Sequence, residues 1–420
     1  MGSVSHLLLQ LVVILAAARL LAWVLRGLGQ PPVIGEMVAG ILLGPIVFGA
    51  LAPGLQAWLF PHGQLAALEG LSQVGLVLFM FIVGAELRAP GGVCERITAA
   101  GWIGVLGVLL PMALGFAIAP HLYQHLAPAG VGFWPFALFM AVSMAITAFP
   151  TMARILKDRD MTRSALGQLA LTAAAIADVF AWIMLALVVA LISTHGGWSG
   201  FARTLIGLVA VAAIGFGVLR PLVAWILARH AADGRPGGVV LSLLLVCTFA
   251  MAAATEWLGL HPVFGAFLFG ACLPRDNRLL ETLIERFEHV AVLVLMPVFF
   301  ALAGLNTTSD ALTGTGLAAL MLILATAVIG KVLGAGAGAR IAGLGWRDAF
   351  ATGALMNARG LMELIVLKIG LDAGVIGTEI FTMLMIMAIL TTLMTTPMLD
   401  LCLRGTRPPE VATVAPPRRY

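Results

Sequence analysis

The sequence predicts an all-α polytopic membrane protein, and three observations lead to this fold class. Hydrophobic residues make up 61% of the 420-residue chain and charged residues only 10%, whereas ordinary soluble domains contain about 25% charged residues. The apolar residues form long continuous runs, as membrane helices of about 20 residues require, and do not alternate with polar residues as in a β-barrel. The chain also contains 48 glycines, and small residues let helices approach closely in lipid.

Thirteen apolar segments can be assigned as membrane spans. The first lacks the basic n-region of a cleaved signal peptide, so we predict that it is retained as a helix. The ninth is short for a complete crossing. The predicted spans cover residues 6–27, 33–51, 64–87, 98–120, 132–156, 165–193, 201–228, 238–258, 262–273, 287–305, 312–340, 346–369 and 377–403.

The basic residues predict the orientation of these spans. If the N-terminus lies outside, the loops that fall inside are rich in Lys and Arg, which is the positive-inside pattern. This predicts an odd number of spans, an N-terminus outside and a cytoplasmic C-terminus. The predicted location is the inner (plasma) membrane of a bacterium. Residues 1–403 form the predicted transmembrane domain, and residues 404–420 form a short, proline-rich tail that we predict to be disordered. The loops assigned outside that contain no Lys or Arg are 52–63, 121–131, 259–261 and 306–311.

Composition and motifs argue against several other functions. The net charge of +4 is spread among short loops, so no nucleic-acid partner is predicted. The chain has no GxSxG, HExxH or P-loop motif, and we predict that it is not an enzyme. Its four cysteines stand far apart, so we predict no metal site and no cofactor. Any transport would then be driven by ion gradients.

Two ionisable residues lie deep within predicted spans, where a charge costs roughly 2.5–3.5 kcal/mol. Asp178 lies mid-span, with no other charged residue between Arg163 and Arg203. We predict that its carboxylate binds a proton or a cation; the alternative is a carboxylate that only hydrogen-bonds neighbouring helices. Lys331 is too deep for easy snorkelling. We predict that it faces the interior and offsets a buried carboxylate.

Pro150 is predicted to interrupt the fifth span. Proline removes one backbone hydrogen bond and disfavours helix at the preceding Phe149. The carbonyls freed around residues 145–148, together with the Thr147 hydroxyl, are predicted ligands for a dehydrated cation. Broken helices line such sites in secondary transporters.

Three further polar residues lie within two turns of the twelfth span: Asn357, Arg359 and Glu363. Arg359 and Glu363 are four residues apart and therefore share one helix face. They are predicted supporting charges of the core. One interpretation is an internal ion pair of purely structural importance, and the other is a pair that holds a second broken helix in shape beside the first.

Several stretches taken together resemble the second monovalent cation/proton antiporter family, which includes Kef-type, bacterial sodium/proton and plant cation/proton exchangers. The resemblance implies the sodium/proton antiporter fold: two inverted repeats, a dimerisation domain, and a core domain in which the broken fifth and twelfth spans cross. It also implies a homodimer and elevator-like alternating access. The matching stretches are QPPVIGEMVAGILLGP (30–45), QVGLVLFMFIVGAEL (73–87), AITAFPTMARIL (145–156), AAAIADVFAWIMLAL (173–187), HPVFGAFLFGACLP (261–274), MPVFFALAGLNT (296–307) and MNARGLMELIVLKIGLDAGVI (356–376).

The resemblance also assigns roles to two residues. Asp178 matches the essential acidic position of the family on the sixth span, and Lys331 matches its lysine on the eleventh. The chain departs from the family pattern at Ala177, where relatives usually carry Asp, Asn or Gln. Without that partner, we expect Lys331 to pair with Asp178 or to move aside.

The predicted function is exchange of K⁺ or Na⁺ for H⁺ by alternating access at Asp178. With a single acidic side chain at the site, one-for-one electroneutral exchange is expected. If Lys331 also releases a proton when the cation binds, two protons move per cation. Two other functions stay open: a sodium-coupled importer of organic anions on a related fold, and a non-transporting membrane component.

Overall fold

A computed structural model describes most of the chain, and the regular structure of the described residues is helical. The predicted tail, residues 404–420, lies outside the described residues. The description covers residues 3–403 apart from 62, 64, 87–93, 160, 162–163, 194–196, 231–235, 259, 275–281, 283–285 and 288.

The α-helices of the described residues are numbered here in chain order. Short π-helical turns lie at Pro45–Gly49, Gly215–Leu219 and Ala291–Leu295. The α-helices are α1 (Ser3–Gly27), α2 (Pro32–Leu43), α3 (Pro53–Leu59), α4 (Ala66–Glu86), α5 (Cys94–Leu126), α6 (Phe133–Ala145), α7 (Phe149–Asp158), α8 (Ala165–Ser193), α9 (Gly197–Ile214), α10 (Arg220–His230), α11 (Gly238–Trp257), α12 (Val263–Cys272), α13 (Met296–Leu305), α14 (Thr315–Ile341), α15 (Trp346–Met356), α16 (Leu361–Asp372) and α17 (Thr378–Leu403).

Each of the thirteen predicted spans contains helix, and the all-helical fold prediction is confirmed. Within the described part of the chain, ten helical segments are long and apolar enough to cross a membrane. The remaining predicted spans consist of the shorter helices α12 and α13 and of the interrupted pair α15–α16. Length and hydropathy alone therefore do not fix the number of crossings at thirteen.

The helices pack in two groups. Helices α1, α2, α4 and α11–α13 pack mainly against one another and are called the scaffold group. Helices α5–α8 and α14–α17 form the core group, in which α14 lies along α5. The predicted functional residues of the sixth, eleventh and twelfth spans all belong to the core group.

A row of glycines brings α14 against α5. Gly330, Gly334 and Gly338 are four residues apart and therefore share one face of α14. A methyl group at any of them would lie 2.5–2.9 Å from an atom of α5. Only glycine allows backbones to approach this closely. The close contact places Lys331, which follows Gly330, directly beside the backbone of α5.

Candidate functional site

The site is built where two interrupted helices meet. Helix α6 ends at Ala145, and the chain is extended until α7 begins at Phe149. A second interruption separates α15 from α16. The backbone N–H of Ala148 donates to the carbonyl of Ala358 at 3.0 Å, and the Thr147 hydroxyl donates to the Met356 carbonyl at 3.3 Å. The predicted crossing of the fifth and twelfth spans is therefore confirmed.

The structure differs from the prediction at Phe149, the residue before Pro150. Phe149 was expected outside the helix, but it is the first residue of α7, and Pro150 lies in the first turn. Proline is accommodated there because the first N–H groups of a helix have no intrahelical partner. Pro150 thus lies in the first turn of the second half-helix, and the extended residues precede Phe149.

Lys331 is fully buried, as predicted, but its partners differ from those expected. Its Nζ donates to the Gly107 carbonyl of α5 at 3.0 Å, to the Thr147 hydroxyl at 2.6 Å and to the Ala145 carbonyl. Among the described residues, no carboxylate lies within 4.0 Å of Nζ, so Lys331 does not pair with Asp178. The interruption supplies the reason, because it frees oxygens at the negative end of α6.

Arg359 binds the same end of α6. Its guanidinium donates to the carbonyls of Ser143 (2.7 Å) and Met144 (2.6 Å) and forms an ion pair with Glu363 at 2.8 Å. All of these side chains are buried. Together with Lys331, Arg359 therefore satisfies three successive carbonyls at the end of α6, which would otherwise lack partners in a region without water.

Helix α17 holds the second interruption in place. The Thr392 hydroxyl accepts a hydrogen bond from the Arg359 backbone N–H at 2.9 Å and lies 2.9 Å from the Arg359 carbonyl. Asn357, a predicted core residue, donates to the Thr391 carbonyl at 3.2 Å. Sequence reasoning missed Thr392, although the run TTLMTT (391–396) places four threonines in an otherwise apolar span.

Asp178 lies on α8, which packs against α7. It is buried, with 5% of its surface exposed, and Ala177 beside it is also buried. The backbone amide of Phe149, at the start of α7, interacts with the Asp178 carboxylate. This arrangement brings a carboxylate to the positive end of one half-helix, while two cationic side chains occupy the negative end of the other.

Two cavities are lined by described residues of the helices that carry the interruptions. The first, of about 660 Å³, is called the basic cavity; it lies between α1 and α7 and extends to Phe149, Pro150 and Thr151. The second, of about 850 Å³, is lined by polar residues that include Glu69, Gln73 and Asp372, and no residue of either interruption lines it. Of these two cavities, the basic cavity is the one lined by the first residues of the half-helices α7 and α16, Phe149 and Leu361.

Sequence reasoning also left the basic cavity unnoticed. Glu36 is buried in its wall and lies 3.5 Å from Arg19. These residues come from α1 and α2, far in sequence from α7, so no local motif links them.

Comparisons with known proteins agree with this geometry. A family model described as "Sodium/hydrogen exchanger, transmembrane" matches residues 12–403. The Na⁺/H⁺ antiporter NhaS4 of Synechocystis sp. is 37% identical over 93% of this chain and 96% of its own length. Cation/H⁺ antiporter 17 of Arabidopsis thaliana is 37% identical, and K⁺/H⁺ antiporter 1 of Saccharomyces cerevisiae is 34% identical. The matches cover 93% and 89% of this chain but only 48% and 43% of those longer proteins.

A solved structure shows the same fold. The sodium proton antiporter MjNhaP1 of Methanocaldococcus jannaschii matches 95% of this chain and 98% of its own with a TM-score of 0.61. The two sequences are 15% identical, so this likeness bears on the fold alone. The predicted antiporter fold is thereby confirmed.

Proposed function

The chain belongs to the sodium/hydrogen exchanger family, and we propose that it exchanges a monovalent cation, K⁺ or Na⁺, for protons by alternating access. Relatives named as Na⁺/H⁺ and K⁺/H⁺ antiporters support this function. They favour it over an importer of organic anions and over a non-transporting component. The family consists of transporters, and we propose no enzymatic activity for the chain.

The observation that carries the proposal is the crossing of the two interrupted helices beside Asp178. Extended backbone within a membrane exposes polar groups that need partners, and secondary transporters use such segments to bind ions. Here the Ala148–Ala358 hydrogen bond joins the two interruptions. Asp178 supplies a carboxylate at the start of α7. We propose Asp178 as the cation-binding residue, with Lys331 carrying the proton that is exchanged.

The contacts of Lys331 suggest how a proton and a cation exchange. Its ammonium group is surrounded by the oxygens of Gly107, Ala145 and Thr147. A dehydrated alkali cation prefers the same kind of oxygen ligand. We propose that the arriving cation takes the Ala145 and Thr147 oxygens together with Asp178, and that Lys331 gives up its proton as it withdraws.

The charges of the core support one-for-one exchange. Among the described residues, four ionisable side chains are buried around the crossing: Asp178, Glu363, Lys331 and Arg359. Their charges sum to zero when all are ionised. An added cation would leave one uncompensated charge, which costs several kcal/mol away from water. If one proton is released for each cation that binds, the core is neutral both when the proton is bound and when the cation is bound.

The orientation, assembly and location are also proposals. The basic residues near the ends of α1 and α7 support a cytoplasmic position for the basic cavity, according to the positive-inside rule. This places the N-terminus outside and the C-terminus in the cytoplasm. The resemblance to the antiporter family supports a homodimer in the inner membrane of a bacterium.

A vesicle assay tests the function. The purified protein is reconstituted into liposomes with an imposed pH gradient and an enclosed pH-sensitive dye, and Na⁺, K⁺ or Li⁺ is added separately. Exchange collapses the gradient with at least one of these cations. A gradient that persists with every cation, as it does in empty liposomes, would exclude the proposed function.

A further inference from the structure

The basic cavity has a charge that is unexpected on the path of a cation. Among the described residues that line it, four carry a positive charge, Arg19, Arg26, Arg154 and Lys157, and one, Glu36, is a carboxylate. The formal charge of this lining is therefore three positive charges. A cation that reaches the interrupted helices from this end must cross that field, which opposes its entry.

Among the described residues, three of these cations have no carboxylate within 4.0 Å. Arg19 pairs with Glu36 at 3.5 Å and also donates to the Leu293 carbonyl at 2.9 Å. Arg154 is close enough to Glu36 to interact with its charge, but does not approach within 4.0 Å. Within the described residues, neither Arg26 nor Lys157 forms an ion pair. Their side chains are exposed to the cavity and to solvent.

The cations converge from the two helix groups. Arg19 and Arg26 are seven residues apart on one face of α1, in the scaffold group. Arg154 and Lys157 are three residues apart on one face of α7, in the core group. The volume of about 660 Å³ is within the usual range of about 300–1,000 Å³ for small-molecule sites. Apolar side chains such as Trp23 and Phe300 also line the cavity, and low-dielectric walls strengthen the field between them.

We propose that the basic cavity binds a phosphate-type polyanion, held by Arg26, Arg154 and Lys157. Guanidinium groups match the oxygens of a phosphate in paired hydrogen bonds, and lysine adds a point charge. A bound polyanion fills the path to the interrupted helices and ties α1 to α7, so it slows exchange. The same chemistry is offered by a free di- or polyphosphate and by the headgroup of an anionic phospholipid.

Binding is tested first, because it does not depend on the proposed transport function. Inorganic pyrophosphate is titrated calorimetrically into the full chain in detergent at low salt. The cavity variant combines Arg26→Gln, Arg154→Gln and Lys157→Gln. The control variant removes as much charge outside the cavity through Arg229→Gln, Arg340→Gln and Arg347→Gln. We expect wild type and control to bind alike and the cavity variant to bind at least about tenfold more weakly.

Two results of the binding experiment would overturn the proposal of a polyanion site in the basic cavity. One is equal affinity of the cavity variant and wild type. The other is an equal loss in the control variant, which would assign any binding to general surface charge. Thermal unfolding of each variant establishes that it is folded before its affinity is compared.

A transport assay then distinguishes a free polyanion from a lipid headgroup as the ligand. Unlike the binding experiment, this assay rests on the proposed function. Pyrophosphate is supplied on one side at a time to proteoliposomes of phosphatidylcholine, with or without phosphatidylglycerol. Inhibition from one side only, absent in the cavity variant, assigns a free polyanion. If phosphatidylglycerol itself slows wild type and not the cavity variant, the ligand is a lipid headgroup. Exchange that neither anion alters would refute the inhibitory role, whereas absence of exchange in all proteins would refute the proposed function and leave the binding result intact.

Discussion

At the scale of single residues, the arrangement of the core depends on which oxygen atoms accept hydrogen bonds from each buried cationic side chain. Lys331 and Arg359 donate to carbonyls at the end of α6 rather than sharing one carboxylate. Glu363 neutralises Arg359, so Asp178 is left without a cation within 4.0 Å among the described residues. An isolated carboxylate of this kind is available to bind an ion that comes from outside the protein.

The first prediction concerns Asp178. We expect Asp178→Asn to reduce exchange to the level of empty liposomes while the protein remains folded. The amide retains the size of the side chain but has no negative charge with which to bind the cation. Dissipation of the pH gradient measures exchange, and thermal unfolding monitors the fold. A normal rate in this variant would remove Asp178 from the coupling step.

The second prediction concerns the Thr147 hydroxyl. Thr147→Val keeps the shape of the side chain but removes the oxygen that contacts Lys331 and Met356. Loss of a hydrogen bond to a charged group costs about 1.5–3 kcal/mol. We therefore expect the apparent KM for the cation to rise by about tenfold or more, with a smaller change in maximal rate.

Thr248→Val is the matched control for this measurement. Thr248 is also buried, but within the described part of the chain its hydroxyl donates to the Leu244 carbonyl of α11, in the scaffold group, and to no other helix. We expect its KM to match that of wild type. Equal KM values for wild type and the Thr147 variant would exclude Thr147 as a ligand.

At the scale of elements, the two interruptions depend on helices outside them. The first is satisfied by side chains from α14 and from the second interruption, and the second is held by α17. Extended backbone therefore persists in the core because neighbouring helices supply every partner named here. This is the condition under which irregular backbone is tolerated at membrane depth.

The third prediction tests the contact between α17 and the second interruption. Thr392→Val leaves the Arg359 backbone N–H without its acceptor, and an unsatisfied buried group costs about 1–3 kcal/mol. We expect a lower unfolding temperature and slower exchange. Thr395→Val is the control, because among the described residues the Thr395 hydroxyl donates to the Thr391 carbonyl of its own helix and to no other helix. Equal effects of the two substitutions would show that the contact across to Arg359 has no special importance.

The fourth prediction concerns the turn between α11 and α12, which carries His261. Burial lowers the pKa of this imidazole from 6.5 to about 4, although the nearby Asp372 carboxylate opposes the shift. The unfolded chain therefore binds the proton more tightly than the folded one. Stability is complete above the unfolded pKa and is lost as the pH falls from 6.5 towards about 4.

We expect His261→Gln to reduce this loss of stability in acid. The measurement is the unfolding temperature as a function of pH, with His230→Gln as the control, since His230 is exposed at the end of α10. An unchanged acid sensitivity in the His261 variant would contradict the interpretation.

At the scale of the whole molecule, the net charge of the buried core determines how many protons are exchanged for each cation. The core sums to zero with Lys331 protonated, and it again sums to zero when a cation has replaced that proton. A neutral core that moves across the membrane carries no charge through the electric field. A cycle with two protons per cation would carry one charge, equivalent to about 2.3 kcal/mol for each 100 mV.

The fifth prediction is that the rate of exchange does not depend on membrane potential. The potential is clamped in proteoliposomes with an ionophore for an ion that the protein does not transport. Electroneutral exchange gives equal rates at all potentials. A steep dependence, or a current on solid-supported membranes that reverses away from the one-for-one equilibrium, would show that two protons move.

Several features of this protein are local and could be predicted from the sequence alone. Hydropathy over about 20 residues marks a membrane span wherever it occurs. The interruption near Pro150 follows from the missing N–H of proline, and the Arg359–Glu363 contact follows from the spacing of four residues on a helix. Each of these depends on neighbours within about two turns along the chain.

The partners of the buried charges were decided only by the tertiary structure. Lys331 was predicted to offset a carboxylate, but the glycines of α14 bring it against α5, where freed backbone oxygens lie nearer than Asp178. Thr392 and the basic cavity likewise depend on helices far apart in sequence. A buried charge takes the partners that close packing places within hydrogen-bond distance, and a sequence pattern does not specify that distance.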